Sequence, residues 1–370
     1  ALLSLDLSPA QVVGGDASTG TVTLTSRALP GGAVVVLSSS DSVVSVPASV
    51  TVPEGSFTAA FPVATTVVLA AESATVRASL GAAVRDAVLA LRPDPCAFVT
   101  DGAQWLGFSS NRNGSYDLFA IREDGTCLRP LTEGAGDDLF VTWSRVGVFA
   151  FMSARSGRMQ VWVQGMGGGA ASILPTGDLA ATSPAFSPDG ALVAFEGYAP
   201  GVSGSSDIYV VARAGGTPVK LTDGAGYNAG PAWSPDGATI YFVSNRAGRY
   251  DVWKVPATGG AISAVTTSSG ILGRPAVTPD GRSLGYCRAA AGEAFSEVVL
   301  RDLGTGTIRV VSSQKDCEPA FDRTGQHVAV TSQRSGNPEV LLLDVATGAV
   351  VRALTSGTGI DGLAAFAPFP

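Results

Sequence analysis

Short runs of alternating apolar and polar residues, broken every few positions by glycine, proline or asparagine, fill the chain. Thr21-Val22-Thr23-Leu24-Thr25 and Thr75-Val76-Arg77-Ala78-Ser79-Leu80 show the alternation most clearly. A period of two puts one face of a strand on a core and the other in water. No long stretch has the 3.6-residue period of an amphipathic helix. The pattern predicts strands at Leu2–Leu7, Gly20–Ser26, Ala33–Ser38, Ala48–Val52, Phe57–Val63, Ala74–Leu80 and Ala83–Leu91, with Gly14-Gly15, Pro30-Gly31-Gly32 and Pro53-Glu54-Gly55 as turns between them. About seven strands in about ninety residues suit an Ig-like sandwich. Arg92-Pro93-Asp94-Pro95 then stiffens the chain into a link, so the expected division is residues 1–92 and 93–370.

Everything after Pro95 repeats. Pro231-Ala232-Trp233-Ser234-Pro235-Asp236-Gly237 has relatives at Pro184-Ala185-Phe186-Ser187-Pro188-Asp189-Gly190, Pro275–Gly281 and Pro319–Gly325. With the large residue as a marker, the copies fall at Phe98, Trp143, Phe186, Trp233, Val277, Phe321 and Phe366, and subtraction gives steps of 45, 43, 47, 44, 44 and 45 residues. A period near 45 is that of a propeller blade with four strands. Within one unit a strand ends in Pro-Asp-Gly, where proline presets φ and glycine takes the positive-φ turn position. A second apolar strand, a polar hairpin and two outer strands follow. One such sheet cannot bury both faces alone, and six in a ring can. Seven copies of the inner strand serve six units. The expected outcome is that Leu363–Pro368 completes the first blade beside Trp105–Ser109, with Cys96–Val99 displaced into the lead-in. The expected fold is therefore all-β, an N-terminal Ig-like β-sandwich followed by a six-bladed β-propeller.

Two resemblances go with these residues. Val13-Gly14-Gly15, Ser18–Leu24 and Val46–Pro53 resemble the bacterial Ig-like modules of secreted and surface proteins, which serve as spacers or adhesive units. From Cys96 to Pro370, Ser-Pro-Asp-Gly, Ser-Asn-Arg-x-Gly-x-Tyr-Asp and Leu-Thr-Asp-Gly resemble the TolB-type propeller repeat. Related blades occur in prolyl oligopeptidases. No Gly-x-Ser-x-Gly elbow is present and no hydrolase domain follows, so peptidase activity does not carry over. TolB has a mixed α/β domain where the Ig-like module stands here.

Charge and composition narrow the function. Net charge is −7 and the 24 lysines and arginines are scattered, which argues against nucleic acid. No apolar run reaches the ~20 residues of a membrane helix. No signal peptide is visible. The four cysteines form no Cys-x-x-Cys pair and suit two disulfides in an oxidising compartment. Cys287 ends a second strand and Cys317 enters the next blade on the same face, which suggests one bridge; Cys96 with Cys127 follows by elimination. A lone His327 on a strand reads as structural, and one histidine excludes a metal site built from several. Charged pairs Arg112 with Asp117, Arg246 with Asp251 and Arg334 with Glu339 are expected across hairpin tips.

Five residues before the marker stand Asp138, Asn228, Asp316 and Asp361, with Ala181 and Leu272 in the other units. These loops surround one mouth of the central channel. Converging oxygens there suit Ca²⁺ or a cationic group of a partner; each also suits capping of its own loop. Tyr227, Arg274 and Glu318 lie in the same loops and give the mouth its chemistry. The expected function is a non-enzymatic secreted, periplasmic or surface protein that binds a protein or peptide at the mouth. A glycan-binding or glycan-active propeller using acidic residues at the channel is the alternative, and exposed tryptophan or tyrosine at the mouth would mark it.

Overall fold

A computed structural model describes residues 1–68, 70–94, 96, 104–134, 136–200, 204–267, 270–289 and 296–368. The chain divides into two compact units, Ala1–Val99 and Thr100–Pro370. Among the described residues every regular element is a strand, and no helix is long and apolar enough to cross a membrane.

The first unit holds two sheets. One joins Leu2–Ser8, Ser18–Leu24, Thr58–Thr65 and Val44–Ser45; the other joins Gln11–Val13, Ala83–Arg92, Glu72–Leu80, Ala33–Ser39 and Ser49–Val52. Alternate residues of both meet in one core, with Val22, Val35, Val52, Val63, Val76 and Leu89 fully enclosed. The strands expected from alternation are present. Gln11–Val13 and Val44–Ser45 were not expected, because runs of 3 and 2 residues carry no period to read.

The second unit is a series of six four-stranded antiparallel sheets among the described residues. From the inside outward, sheet 2 runs Asp138–Ser144, Val148–Ser153, Gln160–Gly165 and Ser172–Ile173. Sheet 4 runs Asn228–Trp233, Thr239–Ser244, Asp251–Pro256 and Ser263–Ala264. Sheets 3, 5 and 6 begin at Ala180–Phe186, Ala276–Val277 and Asp316–Phe321. Sheet 1 is closed from the far end of the chain: Asp361–Phe366 lies inside Trp105–Ser110, pairing Leu106 with Phe366 and Ser110 with Asp361. The competing copy, Cys96–Val99, falls almost wholly outside the described residues. Apolar cores lie between neighbouring sheets. Phe195 and Val193 fill one, Ile240 and Phe242 the next. Closure between sheets 6 and 1 rests on Phe108, Val340, Leu342 and Ala364.

The marker aromatics tie sheet to sheet. Indole nitrogens of Trp143 and Trp233 donate to the carbonyls of Ala365 and Ala185 on the preceding inner strands, each at 3.0 Å. Gly107 makes room for this packing, since a Cβ there would lie 2.6 Å from Trp143.

Each polar motif of the repeat has a distinct task. In Ser-Pro-Asp-Gly, Asp236 accepts from Ser234 Oγ and from the Ala238 amide at 3.0 Å, closing the turn. Those bonds hold its carboxyl below the usual carboxylate range. In Leu-Thr-Asp-Gly the threonine latches the outer strands: Thr222 Oγ1 accepts from the Ile208 amide at 3.0 Å and donates to Asp207 at 2.5 Å, and Thr266 at the equivalent position serves Val252 and Asp251. Thr355 does the same for Val340 and Glu339.

The arginine of Ser-x-Arg is an inward clasp. Arg112 donates to both carboxylate oxygens of Asp361 at 3.0 Å, while its guanidinium lies over Phe108 and Phe119. Arg155 reaches Asp138 over Phe151 and Trp162, and Arg246 reaches Asn228 over Phe242 and Trp253. Arg334 reaches Asp316. The hairpin-tip pairing expected from the sequence is thus corrected. Reach decides it: the guanidinium crosses the two aromatic rings to the innermost strand, and the hairpin acids Asp251 and Glu339 bond threonine instead. Where the inner position is Ala181 or Leu272, the arginine position is Ala199 or Ala290 in the sequence.

Two outcomes are expected. Removing one partner of a buried ion pair costs roughly 3 kcal/mol. Arg112→Ala should therefore lower the melting temperature by roughly 10 °C. Arg112→Met combined with Asp361→Leu should recover most of that loss, because no unpaired charge remains. Deleting residues 361–370 should lower the melting temperature further and open the second unit to protease. A truncated chain that melts like the full one would show that the ring does not depend on its terminal strand.

Candidate functional site

The innermost strands carry an irregularity that aims one side chain of each toward the channel. Pairing registers slip by a bulge in sheets 1, 2, 3, 4 and 6. A bulge inserts one residue and re-aims its side chain. That residue has a positive φ in all five: Leu363, Phe140, Ser183, Gly230 and Glu318. Each stands two positions after the inner acid, asparagine or alanine. Arg274 holds the corresponding place before the short inner strand Ala276–Val277 of sheet 5.

Phe140, Ser183, Gly230, Arg274 and Glu318 line one cavity of about 380 Å³, together with Glu196, Tyr227, Tyr250 and Leu272. Arg274 Nε bonds Glu318 Oε2 at 3.2 Å, and its guanidinium lies 4.6 Å from the centre of the Phe140 ring. Gly230 is required beside it. Its φ is +57°, and a Cβ there would come 2.7 Å from the Arg274 side chain. On the opposite side Tyr198 donates to Glu196 Oε1 at 2.5 Å and shares a 2.5 Å bond with the Tyr227 hydroxyl. Burial, reinforced by Glu196, pushes both phenols up, Tyr227 to about 12. Tyr227 packs edge-on against Tyr250, which is 41% exposed, and Leu272 is 58% exposed.

The structure divides the residues expected at the mouth into two groups. Tyr227, Arg274 and Glu318 line the cavity. Asp138, Asn228, Asp316 and Asp361 are buried to 2% exposure or less, and a clasp arginine holds at least one side-chain oxygen of each. A calcium ion at those four would have to displace guanidinium groups. The sequence reading passed over Phe140, Glu196 and Tyr250. Counting two residues on from the inner acid finds Phe140; nothing in the sequence signals that Glu196 meets Tyr227.

Cys287 and Cys317 form a disulfide with Cα atoms 5.1 Å apart. Cys96 and Cys127 are also disulfide-bonded, and no cysteine is free. Two disulfides fit an oxidising compartment. His327 faces sheet 1, where Nδ1 meets Glu123 Oε1 at 2.5 Å and lies 3.9 Å from Asp322 Oδ2. Among the described residues these three are a set whose donor atoms, within 4.8 Å of one another, suit a cation by their mixed nitrogen and oxygen chemistry. They are not among the residues that line the cavity.

Comparison with known proteins bears on the second unit. Residues 177–296 match the TolB beta propeller domain family. No curated protein matches the chain in sequence. Among solved structures, TolB from Acinetobacter baumannii superposes with a TM-score of 0.63 at 16% identity, covering 82% of this chain and 81% of that one. A putative TolB from Agrobacterium tumefaciens gives 0.57 at 20% identity, over 72% and 98%. An oligogalacturonate lyase in complex with manganese gives 0.51 at 15% identity, over 69% and 75%. Identities this low speak for the fold, and with the matched stretch they show that the second unit is a TolB-like β-propeller.

Proposed function

We propose that this chain is a non-enzymatic binding protein of the periplasm or cell exterior, and that the mouth cavity of a six-bladed propeller receives a segment of a protein or peptide partner. An Ig-like first unit would act as the spacer. One observation carries the reading: an internally repeated scaffold surrounds a lining that does not repeat. The clasp and the turns recur from sheet to sheet, whereas the bulge residues are phenylalanine, serine, glycine, glutamate and leucine, with arginine at the corresponding place in sheet 5. Residues that only hold the ring have reason to repeat, and residues that read a ligand have reason to differ. The cavity combines exposed apolar surface at Leu272 with a few polar groups, as binding pockets do. The likeness to TolB propellers and the two disulfides support the location.

Tyrosines at the mouth favour the second reading, a glycan ligand, because sugar rings stack on aromatic faces. Against a hydrolytic role, the Glu318 carboxylate is tied to Arg274. Glycosidic cleavage needs two carboxyls with separate tasks.

Both readings are tested by selecting heptapeptides from a phage library on the intact protein and screening a glycan array in parallel. Selected peptides should bind Arg274→Glu and Leu272→Asp variants at least tenfold more weakly, with the melting temperature unchanged in Leu272→Asp and lowered in Arg274→Glu, where Glu318 loses its ion-pair partner. Peptides that bind these variants as well as the parent would place the site elsewhere. Glycan binding lost in Tyr250→Ala, with no peptides selected, would favour the second reading.

A further inference from the structure

Glu196 is a carboxylate with no cationic partner among the described residues. It is 4% exposed and lines the cavity. Its oxygens accept from Tyr198 at 2.5 Å and from Ser183 at 3.4 Å, both neutral hydroxyls. No arginine, lysine or histidine pairs with it among the described residues. The inner-strand acids are treated differently: Asp138, Asp316 and Asp361 each hold an arginine. So does Glu318, the other carboxylate of the cavity lining, through Arg274. An enclosed carboxylate held only by neutral hydroxyls is a ready acceptor for a charged donor.

The surroundings add the remaining features of a cation subsite. Tyr227 and Tyr250 stand at 85° to one another with ring centres 6.4 Å apart, and both line the cavity with Glu196. Cations are drawn to aromatic faces. Val243, Ile271 and Leu272 line the same cavity and offer apolar surface to a methylene stem. Arg274 is neutralised by Glu318 and lies on Phe140, which limits its repulsion of an incoming charge.

We propose that Glu196, Tyr227 and Tyr250 form a subsite for the ammonium or guanidinium group of a lysine or arginine side chain on the segment that enters the cavity. The assignment rests on the mouth being the binding site. Long basic side chains fit best, because the charged end meets Glu196 while the stem covers the apolar wall. The bound cation supplies the counter-charge that Glu196 lacks among the described residues.

The test uses the intact chain and the phage-selected heptapeptides. The selected sequences should share a lysine or arginine at one register. Replacing that residue by norleucine, which keeps the stem and removes the charge, should weaken binding at least tenfold on the unaltered protein. Glu196→Gln should weaken the basic peptide by a similar factor and leave the norleucine peptide unchanged. If Glu196→Gln melts early, the norleucine comparison decides alone, since it needs no variant. Peptides that lose affinity on Arg274→Glu but show no shared basic residue, or bind as tightly with norleucine, would overturn the cation subsite while keeping the mouth. Peptides indifferent to Arg274→Glu, or no selected peptides at all, would overturn both.

Discussion

The guanidinium clasp is the interaction on which the second unit depends. In four sheets an arginine from the hairpin crosses to the innermost strand and holds an aspartate or asparagine there. Two of those arginines reach nearly fully buried carboxylates across pairs of aromatic rings, so charge, hydrogen bonding and apolar contact act at one place. The clasp fixes the strand on one side of its bulge, and the marker aromatic fixes it on the other. The residue between is left with a positive φ and a side chain free to vary. In sheet 1 the clasp has a second consequence. Arg112 and Asp361 lie 249 residues apart, so the bond that orders one sheet also closes the ring.

Much of this was legible in the sequence, and the parts that were not have physical reasons. The period near 45 residues located the sheets of the second unit, and the surplus inner strand foretold that Asp361–Phe366 would complete sheet 1. Alternation placed the main strands of the first unit. It was blind to Gln11–Val13, an edge strand pairing in parallel with Ala90–Arg92, because three residues hold no pattern. The inner acids were picked out for their spacing, yet spacing does not say where a side chain points. Asp138 and Phe140 are two residues apart on one strand. The structure buries the first under Arg155 and turns the second into the cavity. Glu196 was invisible for another reason: its neighbours Ser183 and Tyr227 come from other segments of the chain, and only the fold assembles them.

A division of labour follows. Recurring polar groups hold sheets that could not bury both faces alone, and the bulges turn differing side chains into the cavity. The two disulfides agree with a protein that works where thiols are oxidised. The central claim is that ligand recognition lies at the bulge-lined cavity and not on the outer strands. A crystal structure of the protein with its tightest selected peptide tests this most directly. The account predicts peptide density between Tyr227 and Arg274, with a basic side chain on Glu196. Peptide bound along an outer strand, with the mouth unchanged, would contradict it.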